Sequence, residues 1–203
     1  MNNQRIVLAS RPAAEPTTAN FRLEEVALAP LDDGQVRVKH HYLSLDPYMR
    51  GRMNDAKSYA QPQPLNETMI GGTVGEVVES RNSKFAVGDK VVGMGGWQQF
   101  STASGKGDIS KVDTTHIPLS AYLGSVGMPG MTAWYGLMKI CEPKAGETVC
   151  VDAASGAVGS VVGQLAKLKG MHVVGIAGGV EKCAYVKNEL DRKSTRLNSS
   201  HSL

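Results

Sequence analysis

Cysteine, aromatic residues and long apolar runs are all scarce in this 203-residue chain. The three cysteines, Cys141, Cys150 and Cys183, are an odd number without a C-x-x-C spacing. That excludes a disulfide framework and points to free thiols in a reducing cytoplasm. No apolar run approaches the ~20 residues of a membrane span. The opening MNNQRIVLASRP lacks the apolar core of a secretory leader. A dominant charge sign is lacking too. The net charge is +3, but residues 191–203 hold three basic residues (Arg192, Lys193, Arg196) and one acid (Asp191). Residues 1–190 therefore carry 19 basic against 18 acidic residues, and nothing suggests a nucleic-acid surface. With 41% hydrophobic and 20% charged residues, the chain reads as an ordinary globular protein.

What is present divides near residue 125. Upstream, short apolar stretches alternate with Gly and Pro turns: IVLAS (6–10), FRLEEVAL (21–28), GQVRVKHHYLSL (34–45), MIGGTVGEVVES (69–80) and KFAVGDKVVGM (84–94). Period-two spacing sets Val36 and Val38 on one face and Arg37 and Lys39 on the other. Many short strands of this kind indicate a barrel or a sandwich. Downstream, 121–141 has helical spacing after Pro129, with Met131, Trp134, Tyr135, Leu137 and Met138 on one broad face. TVCV (148–151), DAASGAVGSVVGQLAKLKG (152–170) and MHVVGIA (171–177) then read as strand, glycine turn, helix and strand. A second helix follows in 178–190, with Ala184, Val186 and Leu190 as its apolar positions. The tail DRKSTRLNSSHSL (191–203) is polar and without periodicity, so it is expected to be disordered.

The glycine turn carries the first chemical signal. A helix that starts directly after a strand exposes backbone N–H groups without intrahelical partners, and its dipole favours a phosphate there. Gly156 permits a tight turn and Gly159 lets the helix approach the sheet. The full G-x-G-x-x-G is not spelled, so a simple packing turn remains an alternative. The second strand adds a further absence. NAD-binding units place an Asp or Glu about 20 residues on, against the ribose hydroxyls. Here that place is Ala177-Gly178-Gly179, and Lys182 follows within one helical turn. A neutral strand end beside a cation suits a 2′-phosphate, hence NADP(H); the alternative is a solvated helix lysine.

Together YLSLDPYMRGRM (42–53), GWQQF (96–100), GMPGMTAWYGL (127–137), the glycine turn and GGVEKCAY (178–185) resemble the zinc-independent branch of the medium-chain dehydrogenase/reductase superfamily. Within it the chain is most similar to the prostaglandin reductase and leukotriene hydroxydehydrogenase family, on the side of the bacterial NADPH-dependent curcumin reductases. The resemblance spans about residues 4–190 and rests on five motifs in order. It implies a GroES-like β-barrel (1–125) followed by the start of an α/β Rossmann domain (126–190), incomplete in this chain, with the active site in the cleft between the two. It implies NADPH-dependent reduction of a carbon–carbon double bond conjugated to a ketone or aldehyde, by a cytoplasmic homodimer acting on a small-molecule enone. By position, Gly156, Ala157, Val158 and Gly159 form the pyrophosphate loop, Lys182 meets the 2′-phosphate, and Met128 and Thr132 line the nicotinamide side. Tyr48 stands on the barrel side of the cleft, with a packed turn aromatic as the alternative.

Metal is not expected. Leu43 and Gly72 occupy the places of zinc ligands in the metal-dependent members, and no cysteine precedes Cys141. Adjacent His40 and His41 on a strand face opposite ways, and a zinc site needs three or four N, S or O ligands. After Leu190 the resemblance stops. The tail is expected to be a foreign, read-through-like sequence on a shortened chain, because the family continues with further strands and a pocket tyrosine. Such a chain is expected to lack activity. Two other readings stay open: an NADPH quinone oxidoreductase of the same superfamily, and a non-enzymatic GroES-like binding module.

Overall fold

A computed structural model describes residues 2–190 and the backbone of 198–199. The chain divides into two compact units, Met1–Leu123 and Gly124–Leu203.

In the first unit, β1 (Asn2–Leu8) and β2 (Phe21–Ala27) form an antiparallel pair. A five-stranded antiparallel sheet contains β3 (Val36–Leu43), β4 (Thr73–Ser80), β5 (Lys90–Gly93), β6 (Phe100–Ala103) and β7 (Ile109–Lys111) in the order β6-β3-β4-β5-β7. The hairpin joins the rest through bridges from Arg5 to Gln98 and from Val7 to Thr68. The expected alternation in β3 appears: Val36 and Val38 are buried beside Val77, Phe85, Val91, Ala103 and Ile109. Arg37, on the other face, is buried as well, and its guanidinium donates to the Thr102 hydroxyl and the Ala29 carbonyl. A register shift at His40/Tyr42 interrupts the β3–β4 ladder. There the Lys39 carbonyl crowds Gly75 so closely that a Cβ would overlap it. A second cluster, Leu8, Met49, Met53 and Met69, is flanked by Phe21, Tyr48 and Trp97. It seats the short helix α1 (Tyr48–Arg52) on the hairpin.

In the second unit, β8 (Thr148–Val151) and β9 (His172–Ala177) are parallel and joined by α3 (Gly159–Leu168), the strand–helix–strand unit read from the sequence. Asn198 and Ser199 (β10) lie parallel to Ile176 and Ala177; the remainder of the tail, expected to be disordered, lies outside the described residues. Helix α2 (Met128–Tyr135) continues as a π-helical turn, Gly136–Cys141, and α4 (Gly179–Tyr185) as another, Val186–Leu190.

Two helix faces differ from the expectation. In α2 and its extension the buried residues are Pro129, Gly130, Ala133 and Leu137, while Met131, Trp134 and Tyr135 are exposed. The cause is close backbone packing: a Cβ on Gly130 would overlap the Ser125 carbonyl, so the inward face takes small side chains. In α4 and its extension Cys183 and Val186 are buried and Ala184 is exposed; Leu190 packs at the edge of their cluster.

Candidate functional site: a glycine turn and a tyrosine helix

The turn between β8 and α3 is held from both sides. The Ala154 N–H donates to the Ile176 carbonyl at 2.9 Å, tying the turn to the end of β9. The Gly156 N–H donates to the Ala153 carbonyl at 2.8 Å, closing a tight turn. Its left-handed residue is Ala153, at φ +48°, rather than a glycine, a conformation that costs an L-residue about 1–2 kcal/mol. Gly159, the first residue of α3, leaves no room for a side chain: a Cβ would overlap the Ala153 carbonyl oxygen and stand 3.0 Å from the Ala154 Cα. Gly156 is nearly as tight, with 3.1 Å from a Cβ to the same oxygen. Gly163, one turn on, has ordinary contact with Val173.

Ahead of α3 the N–H groups of Ala157, Val158 and Gly159 donate to no described residue. Three consecutive unpaired donors at a helix start, on backbone that glycines keep open, match the needs of a phosphate. Ala157 and Val158 are exposed, whereas Gly159 is buried. The residues present therefore fit a pyrophosphate. Past the end of β9, Gly178 caps α4 and Gly179 turns left-handed at φ +81°. Lys182 stands exposed one turn into α4, and its nearest acid in sequence is Glu181.

Met128 and Thr132 share a face of α2. The Thr132 hydroxyl donates to the Met128 carbonyl at 2.8 Å and lies 3.8 Å from its sulfur. Both are exposed. That back-bond fixes the threonine oxygen as a presented acceptor.

Tyr48 opens α1 in the first unit and is half-buried against the Met49 cluster. Burial raises its phenol above the ordinary value, and the Asp46 carboxylate adds to the rise. The Arg52 charge and a hydrogen bond from the Gly72 backbone oppose it. Tyr48 is a neutral phenol in any ordinary buffer.

At the positions expected to replace zinc ligands, Leu43 fills space against Gly71 together with Met49 and Trp97, and Gly72 faces Leu123. Among the described residues no three His, Cys, Asp or Glu side chains converge. His40 and His41 do diverge. His41 comes within 3.9 Å of Glu76 on one face. On the other, the His40 ring is wedged under Gly95 and beside the Thr73 hydroxyl, and neither of its nitrogens has a partner. Burial, then the charge of His41, holds its imidazole down at about 4. Sequence reasoning singled out His40 only to dismiss a metal pair; its burial depends on the glycine at position 95, to which no local pattern points.

A family model described as the N-terminal domain of oxidoreductase matches residues 4–112. The NADPH-dependent curcumin reductase of Escherichia coli (strain K12) is 50% identical over 188 residues, covering 93% of this chain and 54% of that protein. Prostaglandin reductase 1 of Rattus norvegicus is 49% identical over 175 residues, 85% of this chain and 51% of that one. The crystal structure of CurA from Vibrio vulnificus in complex with NADPH superposes with a TM-score of 0.87 at 47% identity, covering 95% of this chain and 57% of that chain. The chain thus spans about half the length of the curated relatives it matches.

Proposed function

This chain belongs to the zinc-independent branch of the medium-chain dehydrogenase/reductase superfamily, and from that membership we propose that the full-length protein is an NADPH-dependent reductase of the carbon–carbon double bond in α,β-unsaturated ketones and aldehydes. The observation that carries the reading is the glycine turn. Three amides at Ala157–Gly159 have no acceptor among the described residues, on a turn packed so tightly that a Cβ at Gly159 would overlap the Ala153 carbonyl. The strand end beyond it has no acid, and Lys182 stands near.

In this reading the Gly156–Gly159 backbone holds the pyrophosphate and Lys182 pairs with the 2′-phosphate. Met128 and Thr132 line the nicotinamide side, and Tyr48 is on the side of the substrate. The first unit is the GroES-like domain, about 1–125, and residues 126–190 begin the nucleotide-binding domain. Bound there, NADPH supplies a hydride for the β-carbon of the enone. The chain's own part is to fix the phosphates, to reject NAD by offering a cation where NAD-binding proteins keep an acid, and to place polar donors near the substrate oxygen. No step needs zinc, since Leu43 and Gly72 offer no donor atoms. Exposed Cys141 and Cys150 and buried Cys183, all unpaired, support a cytoplasmic setting. We read the working form as a homodimer, on the family resemblance alone.

The test is a cofactor-by-substrate matrix on the full-length protein. NADPH with an aryl enone should be consumed, and NADH with the same enone far more slowly. NADPH consumption with a quinone and none with enones would replace this reading by a quinone reductase. The 203-residue chain alone should consume no NADPH with either.

A further inference from the structure

Among the described residues the buried polar side chains are Asn3, Arg37, Gln63 and Thr73. Each needs partners, because a buried polar group left unpaired is costly. Asn3 ties β1 to β6 through the Phe100 backbone. Arg37 ties β3 to Thr102 and the Ala29 carbonyl. Gln63 lies in no strand or helix, yet it joins three segments. Its backbone N–H donates to the carbonyl of Arg52, the last residue of α1, at 2.7 Å. Its Nε2 donates to the Thr68 carbonyl at 3.1 Å and to that of Pro64 at 3.4 Å. Its Oε1 accepts the Ile70 N–H at 3.0 Å. Ile70 stands just ahead of Gly72 and β4. Gln63 therefore fixes the start of β4 relative to the helix that Tyr48 opens.

The loop that Gln63 folds is one wall of a cavity of about 410 Å³. Gln63, Glu67, Met69 and Ile70 line it from that loop, and Met94 and Gly95 from the opposite side. Hydrogen bonds set the spacing of the two walls. The Gly96 N–H donates to the Gly71 carbonyl at 3.0 Å and the Trp97 N–H to the Met69 carbonyl at 2.8 Å. The Gly95 N–H donates to the Thr73 hydroxyl at 3.1 Å. Strand register gives the place of the cavity. Leu43 pairs with Thr73, and Thr73 with Gly93, so Ile70 and Met94 stand at the same sheet end as Leu43 and Gly72. Arg52 and Pro62 also line the smaller cavity that borders Tyr48, so the two cavities share a wall.

We propose that this cavity receives the substituent that an α,β-unsaturated ketone carries beyond its reacting atoms, and that Gln63 is the positioning residue that keeps the cavity open. The inference rests on the enone-reductase reading above and adds a place for the remote part of the substrate. Volume sets the class of substituent. A cavity of about 150 Å³ takes a benzene ring, so one of about 410 Å³ takes a ring with its linking carbons. Ile70 and Met94 offer apolar contact. Arg52 and Glu67 on the wall carry opposite charges, so neither sign of charge on the substituent is favoured. A wall already folded before binding costs no ordering entropy when the ring enters, and the Gln63 amide provides that.

The test is a selectivity ratio in the full-length protein: kcat/KM for 4-phenyl-3-buten-2-one divided by kcat/KM for 3-penten-2-one. Gln63→Leu removes the amide at nearly constant volume and should lower the ratio by about 10-fold or more, chiefly by raising KM for the larger ketone. Gln63→Glu can still accept from Ile70 but no longer donates to Thr68, and should fall between. Met94→Trp fills the cavity from an exposed position with the clamp intact, and should lower the ratio as well. An unchanged ratio in Met94→Trp overturns the cavity. Equal losses on both ketones in folded Gln63→Leu leave the ratio unchanged and overturn the positioning role. Should Gln63→Leu fail to fold, the Ile70 amide of the 203-residue chain decides: slow exchange is expected, and exchange as fast as in an open loop overturns the clamp. A full-length protein that reduces neither ketone overturns the enone reading and this inference with it.

Discussion

In the first unit Leu8, Met69, Val36 and Val77 are fully buried, whereas the second buries Ala133, Ala154, Ala166 and Ala177 and exposes Met131, Trp134 and Ile140. Among the described residues ten large apolar side chains of the second unit are exposed, over about half the length in which the first exposes eight. The sheets explain the contrast. The strands of the first unit wrap onto a hairpin and α1, so large residues find cover on the inward face. A parallel sheet needs cover on both faces, but Val173, Val174 and Ile176 of β9 are only half-buried, and Thr148 and Cys150 of β8 are exposed at the sheet edge. The first unit is held by its own core. The second holds the glycine turn on a frame with much apolar surface exposed.

The largest effect should come from core truncation. Leu8→Ala should cost the first unit about 2–5 kcal/mol. Leu168→Ala, at a residue 81% exposed, should cost the second under about 0.5 kcal/mol. Chemical denaturation followed separately in each unit measures both; similar costs would erase the contrast.

Acid sharpens the contrast from another side. His40 titrates near 4 in the folded chain against 6.5 for the free residue. As pH falls from 6.5 toward 4 the unfolded chain takes a proton that the folded chain refuses. The first unit should therefore keep this stability above pH 6.5 and lose up to about 3 kcal/mol across that window. His40→Leu should flatten the pH dependence between 6.5 and 4. A variant with the wild-type slope would show that His40 is not its source.

A smaller effect belongs to the nucleotide turn. In the full-length protein Lys182→Ala should weaken NADPH binding by about 1.5–3 kcal/mol, the range for a hydrogen bond to a charged group, and leave NADH nearly unchanged. Calorimetric titration of both cofactors decides it. Equal losses would mean that Lys182 does not read the 2′-phosphate.

The two units also differed in how far they could be read from the sequence. Strand β3 was legible because Val36 and Val38 alternate with Arg37 and Lys39 against a single core. The short strands β6 (FSTA) and β7 (ISK) carry too few residues for any period to show. In the second unit the strand–turn–helix–strand order was plain, and so were Gly156 and Gly159. The inward face of α2 was not legible in its spacing, which groups Met131, Trp134, Tyr135, Leu137 and Met138 on one broad face although only Leu137 of these is fully buried. Its neighbours come so close that Gly130 and Ala133 fit there and Met131 and Trp134 do not. Tyr48 was singled out through its motif alone, since the five-residue helix it opens gives no facing pattern. The left-handed Ala153 has no sequence signature at all; the contacts of Gly159 and Ile176 with the turn hold it in place.

The contrast between a self-supported first unit and a weakly covered second one is most directly tested by residue-resolved hydrogen exchange on the 203-residue chain. Amides of β3, β4 and β5 should be protected to the level of global unfolding, while those of β8 and β9 should exchange through local opening orders of magnitude faster. Equal protection from β3 through β9 would contradict the account.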